Sequence, residues 1–280
     1  MRKRNEARKL GFACILGLSL AAAGAAQEPA DGLAILKKVQ DTYTSMKTFQ
    51  AEGKIVSTLS SPTELIGGGR LIPRTSETPF SIAIVQPDRL RVENRDEKEG
   101  SLKILQGKTL WTYTPKLNKY SEANVSTGPG AREKASAFDD FNRFRGDYKK
   151  LLEGLTAADV LREESLRVNG HDVECYVVRV ERKGGKPLKK SGTTIEVDPT
   201  ETLWIDKSRF LVLKKDSGTI KSTTSGPLGM EFDFDTSVYF EKAAADEPVP
   251  EELFSFVPPP GATKVLRTQV RPKSQPPKPH

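Results

Sequence analysis

The chain has 280 residues, 44 Lys/Arg against 37 Asp/Glu, two Cys and two His, a size that one hydrophobic core can serve. Five of the basic residues and one acid (Glu6) fall in positions 1–26, leaving 39 basic against 36 acidic; this near-balance excludes the basic footprint of a nucleic-acid-binding protein. His171 and His280 are too few for a His-rich metal site or a Ser-His-acid triad.

The N-terminus comes first. Arg2, Lys3, Arg4, Arg8 and Lys9 precede the apolar run "LGFACILGLSLAAAGAA", which ends in small residues before Gln27. That layout predicts a secretory signal peptide over 1–26, cleaved near Ala25 or Ala26, and export to the periplasm. Cys14 sits near the start of the run rather than at its close, unlike a lipid-modified Cys, so only Cys175 is retained and no intramolecular disulfide forms.

From Asp31, a capping residue, the apolar positions Leu33, Leu36, Val39, Tyr43 and Met46 recur at spacings of three and four and predict a helix. At Phe49 the period changes to two: Phe49, Ala51, Gly53, Ile55 and Leu59 alternate with polar residues, as in a half-buried strand. "IGGGRLIPR" reads as a loop. "PFSIAIVQPDRLRVEN" then places Phe80, Ile82 and Ile84 on one face, breaks at Pro87, and resumes with Leu90 and Val92; "SLKILQG" and "KTLWTYTP" form a hairpin turning at Gly107.

Between 131 and 153 the pattern is helical again. Phe138, Phe141, Arg145 and Tyr148 form a stripe with Phe144 beside it, and Gly146 is a break. Strands resume in "DVECYVVRVER", "GTTIEVD", "ETLWIDKSRFLVLKKD", "MEFDFDTSVYFEK" and "LFSFV". Residues 27–266 read as one domain. The Pro-rich basic tail over 267–280 has no apolar pattern and is expected to be disordered.

Catalytic signals are sparse. The chain has no Walker loop, dinucleotide fingerprint or GxSxG. His171 falls in the hairpin turn "VNGHDV", Asp139-Asp140 and Asp233/Asp235 lack a calcium-loop spacing, and Cys175 reads as a small core residue. The expectation is a non-enzyme with no cofactor and no metal.

A curved antiparallel sheet with two amphipathic helices instead suggests a binding cavity. Here the sequence resembles a known family. "GKTLWTYTPKLNKYSEA" is similar to the DGKTLW-x-Y-x-P hairpin of the LolA-like lipoprotein localisation factor superfamily. "QPDRLRV" stands where that family has RP-x-x-F-x-W, and "LFSFVPPPGATKV" resembles its closing F-x-F-x-P-P-x-G-V segment, in the same order.

The resemblance implies an α+β fold: a half-open, unclosed antiparallel β-barrel with an N-terminal helix and a mid-chain helical lid over an apolar cavity. It implies a periplasmic carrier that shields the acyl chains of lipoproteins, or a related lipid, between inner and outer membranes. Expected partners are the acylated cargo, an inner-membrane ABC releasing complex and an outer-membrane receptor, with the carrier itself a monomer. A regulator of the RseB/MucB type, sensing ligands on the same scaffold, is the alternative.

Leu90 and Val92 match the family's cavity-lining strand positions, and their own alternation points them inward. Ile55, Leu59, Ile82, Ile84, Leu102 and Ile104 complete the expected cavity, and Phe138, Phe141, Phe144 and Tyr148 the expected lid. Where the family has a lid-latching Arg before the strand Pro, this chain has Gln86, and Gln106 replaces the family's Asp before Gly-Lys.

Overall fold

The computed structural model describes residues 31–62, 64–65, 69–70, 72–125, 129–224 and 230–265. The expected signal peptide at 1–26 and tail at 267–280 lie outside the described residues.

The helices are α1 (Gly32–Ser45) and α2 (Pro129–Arg145). The strands are β1 (Thr48–Ser60), β2 (Glu64–Leu65), β3 (Gly69–Arg70), β4 (Arg74–Val85), β5 (Arg89–Asn94), β6 (Ser101–Gln106), β7 (Thr109–Thr114) and β8 (Lys119–Asn124), then β9 (Leu155–Val168), β10 (His171–Arg182), β11 (Leu188–Lys190), β12 (Thr193–Val197), β13 (Thr200–Asp206), β14 (Val212–Thr224), β15 (Glu231–Ala245) and β16 (Thr263–Lys264). Short 3-10 turns lie at Pro115–Leu117, Tyr148–Lys150 and Glu251–Phe254.

Fourteen strands form one sheet in the order β16-β8-β7-β6-β5-β4-β1-β15-β14-β13-β10-β9, with β12 on β14 and β11 on β12. Among the described residues no ladder joins β16 to β9, and the sheet is unclosed. All its ladders among the described residues are antiparallel except β16 beside β8. This is the expected half-open α+β barrel. The stretch "IGGGRLIPR", read as a loop, contains part of the small β2–β3 ladder.

Helix α1 begins where Asp31 Oδ1 accepts the Leu33 N–H at 2.9 Å, the usual side-chain cap for an orphan donor. It buries Ile35, Leu36, Val39 and Tyr43, while Leu33 faces solvent. Ile35 takes the place expected of Leu33. Helix α2 lies on β4, β5 and β8, and α1 on β9 and the turn at Tyr148–Lys150.

Cross-strand register defines the covered face. Phe49 pairs with Ile84, Ala51 with Ile82 and Gly53 with Phe80; Ile84 and Ile82 pair in turn with Leu90 and Val92, and Leu90 with Leu105. Side chains directly opposite across a ladder share a face, so these residues form one apolar surface beneath the helices. At Glu52/Gly53 the β1–β15 ladder carries a bulge, which bends a strand and increases its twist. A Cβ at Gly53 would lie 2.0 Å from the Tyr239 carbonyl oxygen, so that approach of two backbones requires glycine. Among the described residues no helix is long and apolar enough to cross a membrane.

Candidate functional site

The covered face is a chamber filled by its own side chains and floored by β1, β4, β5, β6, β7 and β15. Six aromatic rings run through it: Tyr148 to Tyr43 at 4.8 Å, Tyr43 to Phe49 at 6.4 Å, Phe49 to Phe240 at 6.3 Å, Phe240 to Phe80 at 5.7 Å and Phe80 to Phe144 at 4.8 Å. Such spacings suit edge-to-face and tilted ring packing. Only the last ring belongs to α2. Its neighbours Ala137 and Phe141 are also buried, and Phe138 is half-buried.

Two cations and a glycine set the position of α2. Lys103 reaches up from β6 to Asp140 in an ion pair, with Ser136 Oγ at 3.4 Å. Register places Lys103 beside Val92, so it stands on the chamber face, under the helix. At the other end Arg145 is buried with its guanidinium 5.3 Å from the Tyr43 ring centre and 4.9 Å from that of Phe141. It donates to the Asn142 Oδ1 at 3.1 Å and the Gly146 carbonyl at 3.2 Å. Burial pushes Arg145 below the ordinary guanidinium range; ring faces and neutral oxygens hold its charge, with no carboxylate in ion-pair contact among the described residues. Gly146, at φ 95°, ends the helix, the left-handed position that favours glycine.

The expected site residues divide. Ile55, Ile82, Ile84, Leu90 and Val92 are buried on the chamber face, and Phe141 and Phe144 press onto it from α2. Leu59 shares that face but lies farther along β1, only half-buried.

Leu102 and Ile104 require a correction. Glu93 pairs with Leu102 and Arg91 with Ile104, which puts both on the opposite face from Leu90 and Val92. There the C-terminal segment covers them: Phe254 is fully buried and Phe256 lies 6.3 Å from Trp111, 6.2 Å from Tyr113 and 5.3 Å from Tyr120. Trp111 and Tyr113 are thus a seat for Phe256.

Tyr148 follows Gly146 and sits edge-on against Tyr43 of α1, so it belongs to the body rather than to α2. Gln86 does not reach α2 either; its Nε2 donates to the Met46 carbonyl at 2.8 Å, tying the end of α1 to the β4–β5 turn. Lys103, Asp140 and the role of Arg145 were missed in the sequence. Lys103 falls between Leu102 and Ile104, where simple alternation assigns it to solvent.

Burial shifts two tyrosines of the chamber. Burial raises Tyr43 to about 12, against the lowering effect of Arg145, and pushes Tyr148 well above its ordinary value. Cys175, in β10, is raised to about 12 by burial and then by Asp206, which makes it an inert core thiol.

Among the described residues, cavities lie on both faces of the sheet. One of about 140 Å³ lies under the first half of α2, lined by Lys103, Leu110, Thr112 and Ser136 among others. Another of about 350 Å³ lies past the helices, at Ser57, Leu59, Arg74, Phe234 and Thr236. A polar one of about 390 Å³ includes Gln50, Glu52, Ser81, Arg91, Arg95 and Leu253 in its lining, on the face opposite the chamber.

No family model matches the sequence. An uncharacterized protein of Methanocaldococcus jannaschii is 23% identical over 229 residues, covering 81% of this chain and 52% of its own; the chain spans about half the length of that curated relative. The structure is similar to that of the Mycobacterium tuberculosis lipoprotein LppX, at 13% identity and a TM-score of 0.40, covering 78% of this chain and 96% of that one. A LolA superfamily protein from Nitrosomonas europaea is similar at 13% identity and a TM-score of 0.25, over 81% and 98% of the two chains. An uncharacterized conserved protein from Thermus thermophilus is similar at 14% identity and a TM-score of 0.34, over 83% and 97%.

Proposed function

We propose that the protein is a non-catalytic carrier that holds the acyl chains of a lipoprotein, or of a related lipid, against the sheet face now covered by α2. The observation that supports this reading is the cover itself. An apolar floor including Phe80, Ile82, Ile84, Leu90 and Val92 is roofed there by one amphipathic helix, whose charged anchor, Lys103 to Asp140, is partly exposed. Exposed or half-exposed ion pairs contribute little, about 0–1 kcal/mol.

The exchange of cover for cargo is energetically balanced. Uncovering a large apolar side chain costs about 1.5–3 kcal/mol, and burying an acyl chain contributes about 0.8 kcal/mol per CH₂. About a dozen methylenes therefore offset the exposure of about four such side chains. On this reading α2 swings out, cargo takes its place, and the protein moves in the periplasm as a monomer from an inner-membrane releasing complex of the ABC type to an outer-membrane receptor.

Native mass spectrometry of protein recovered from the cell envelope tests the reading, together with displacement of a bound hydrophobic fluorophore by fatty acid. Adducts with the mass of acylated cargo are expected. They should be lost in Leu90→Glu, which puts a carboxylate without a partner against hydrocarbon, since Leu90 lies between Ile84 and Leu105. A bare protein that also fails to bind the fluorophore refutes the carrier role.

A further inference from the structure

The chamber face continues beyond the reach of both helices. Past Ile55 and Val238 it carries hydroxyls, Ser57 opposite Thr236, and then a second apolar row running across four strands: Leu59 in β1, Phe234 in β15, Ile220 in β14 and Val197 in β12. Phe234 is 41% exposed, Ile220 39% and Val197 60%; Leu188, on the neighbouring β11, is 60% exposed. Single exposed apolar residues are ordinary, whereas a contiguous row is not.

The charges around this row are sorted by face. Arg74, directly opposite Leu59, extends it on β4, and Lys190 of β11 lies on the same side as Leu188, two residues along. Neither of these two cations is in an ion pair among the described residues. The acids of the same strands, Glu196, Asp233 and Asp235, point to the opposite face: Glu196 and Asp233 both pair with Lys221, and Asp235 with Thr58.

We propose that this uncovered end of the sheet is a docking surface for an anionic lipid membrane. A row across β1, β15, β14 and β12 with β11 beyond it is about 20 Å wide, broader than one acyl chain needs. Apolar side chains bordered by cations, with the acids turned away, suit a bilayer interface with anionic headgroups. A second copy of the chain fits worse, because a two-fold contact through this face would set Arg74 and Lys190 against the same cations with no acid between them.

The test is vesicle flotation without cargo, so failure of the carrier reading leaves it intact. The protein as processed by the expressing cell is mixed with vesicles of phosphatidylcholine alone or with added phosphatidylglycerol. Binding is expected only with phosphatidylglycerol and should weaken as salt rises. Arg74→Gln with Lys190→Gln should reduce it about twenty-five-fold, from about five-fold per cation. Phe234→Ser with Val197→Ser should reduce it about ten-fold or more while leaving the circular dichroism spectrum unchanged. Absence of binding, or binding that neither double variant alters, overturns the proposal. So does a wild-type dimer in sedimentation velocity that Phe234→Ser with Val197→Ser dissociates, which would make the face a contact between copies.

Discussion

Phe144→Ala tests whether α2 is a cover or a fixed part of the core. The Phe144 ring is buried and lies 4.8 Å from Phe80, a contact present only while α2 is closed. Burial of Phe141 and Phe144 with half of Phe138 holds α2 by about 4–7 kcal/mol, and Lys103–Asp140 adds up to about 1 kcal/mol. Truncating a buried Phe costs about 3–5 kcal/mol. The variant should keep α2 closed by about 1–3 kcal/mol, so that the open form reaches about 1–15% of molecules.

Amide hydrogen exchange reads this directly. In the wild type, amides over 137–145 should be less protected than those of β15, with a shallower dependence on denaturant, because a local opening exposes less surface than global unfolding. In Phe144→Ala their protection should fall by about two to three and a half orders of magnitude. Apparent affinity for a hydrophobic fluorophore should rise in the same proportion, since the binding-competent fraction has risen. The reasoning fails if 137–145 and β15 share one protection level and one denaturant slope in the wild type. It fails equally if Phe144→Ala lowers the melting temperature but leaves fluorophore affinity unmoved.

Asp206, in the β13–β14 turn, accepts from the Ser208 N–H at 2.7 Å, Ser208 Oγ at 2.6 Å and Arg209 Nε at 2.7 Å; burial alone would raise its carboxyl, but these bonds outweigh it and hold it below the usual range. Its contribution to stability is therefore present above about pH 4 and lost as pH falls through the lower folded value; Asp206→Asn should flatten that part of the melting-temperature profile, and an unchanged profile refutes the assignment. Ending the chain at Val265 should leave the melting temperature in place, whereas ending it at Pro250 removes Phe254 and uncovers Ile104, both buried, at a cost of about 3–6 kcal/mol. Equal melting of the two truncations would show that the C-terminal segment does not hold that face.

Much of the covered face was legible because β1 and β5 bury alternate residues on it, and in β4 the large apolar side chains Phe80, Ile82 and Ile84 fall on it while only the small Ser81 and Ala83 are buried on the other face. Strand β6 was not, because both of its faces are buried: Leu105 lies in the chamber, and Ile104 under Phe254. Leu102, Ile104 and Leu105 leave the phase of such a strand undetermined, and only register against β5 fixes it. The anchors of α2 were hidden for a similar reason. Lys103 and Asp140 are 37 residues apart, and Arg145 is held by ring faces and neutral oxygens, a pattern without a charge partner in the sequence. Gln86 was assigned by family position; locally, it is the open carbonyl at Met46 that it satisfies.

Element lengths explain why one end of the chamber face is bare. Helix α1 has 14 residues and α2 has 17, about 21 and 26 Å at 1.5 Å per residue. Strands β1, β14 and β15 have 13, 13 and 15, about 40–50 Å at about 3.3 Å per residue. Neither helix alone spans strands of that length, and at the far end, where Phe234 and Ile220 are exposed, the face meets another neighbour. Where that neighbour is water, as at Ser57 and Thr236, the side chains are hydroxyls. Two residues farther along β1 and β15 they become Leu59 and Phe234, flanked by Ile220 and Val197. Permanent exposure to water gives no physical reason for that change, and Arg74 and Lys190 at its margins give it a sign: the neighbour is apolar in its middle and negative at its edge.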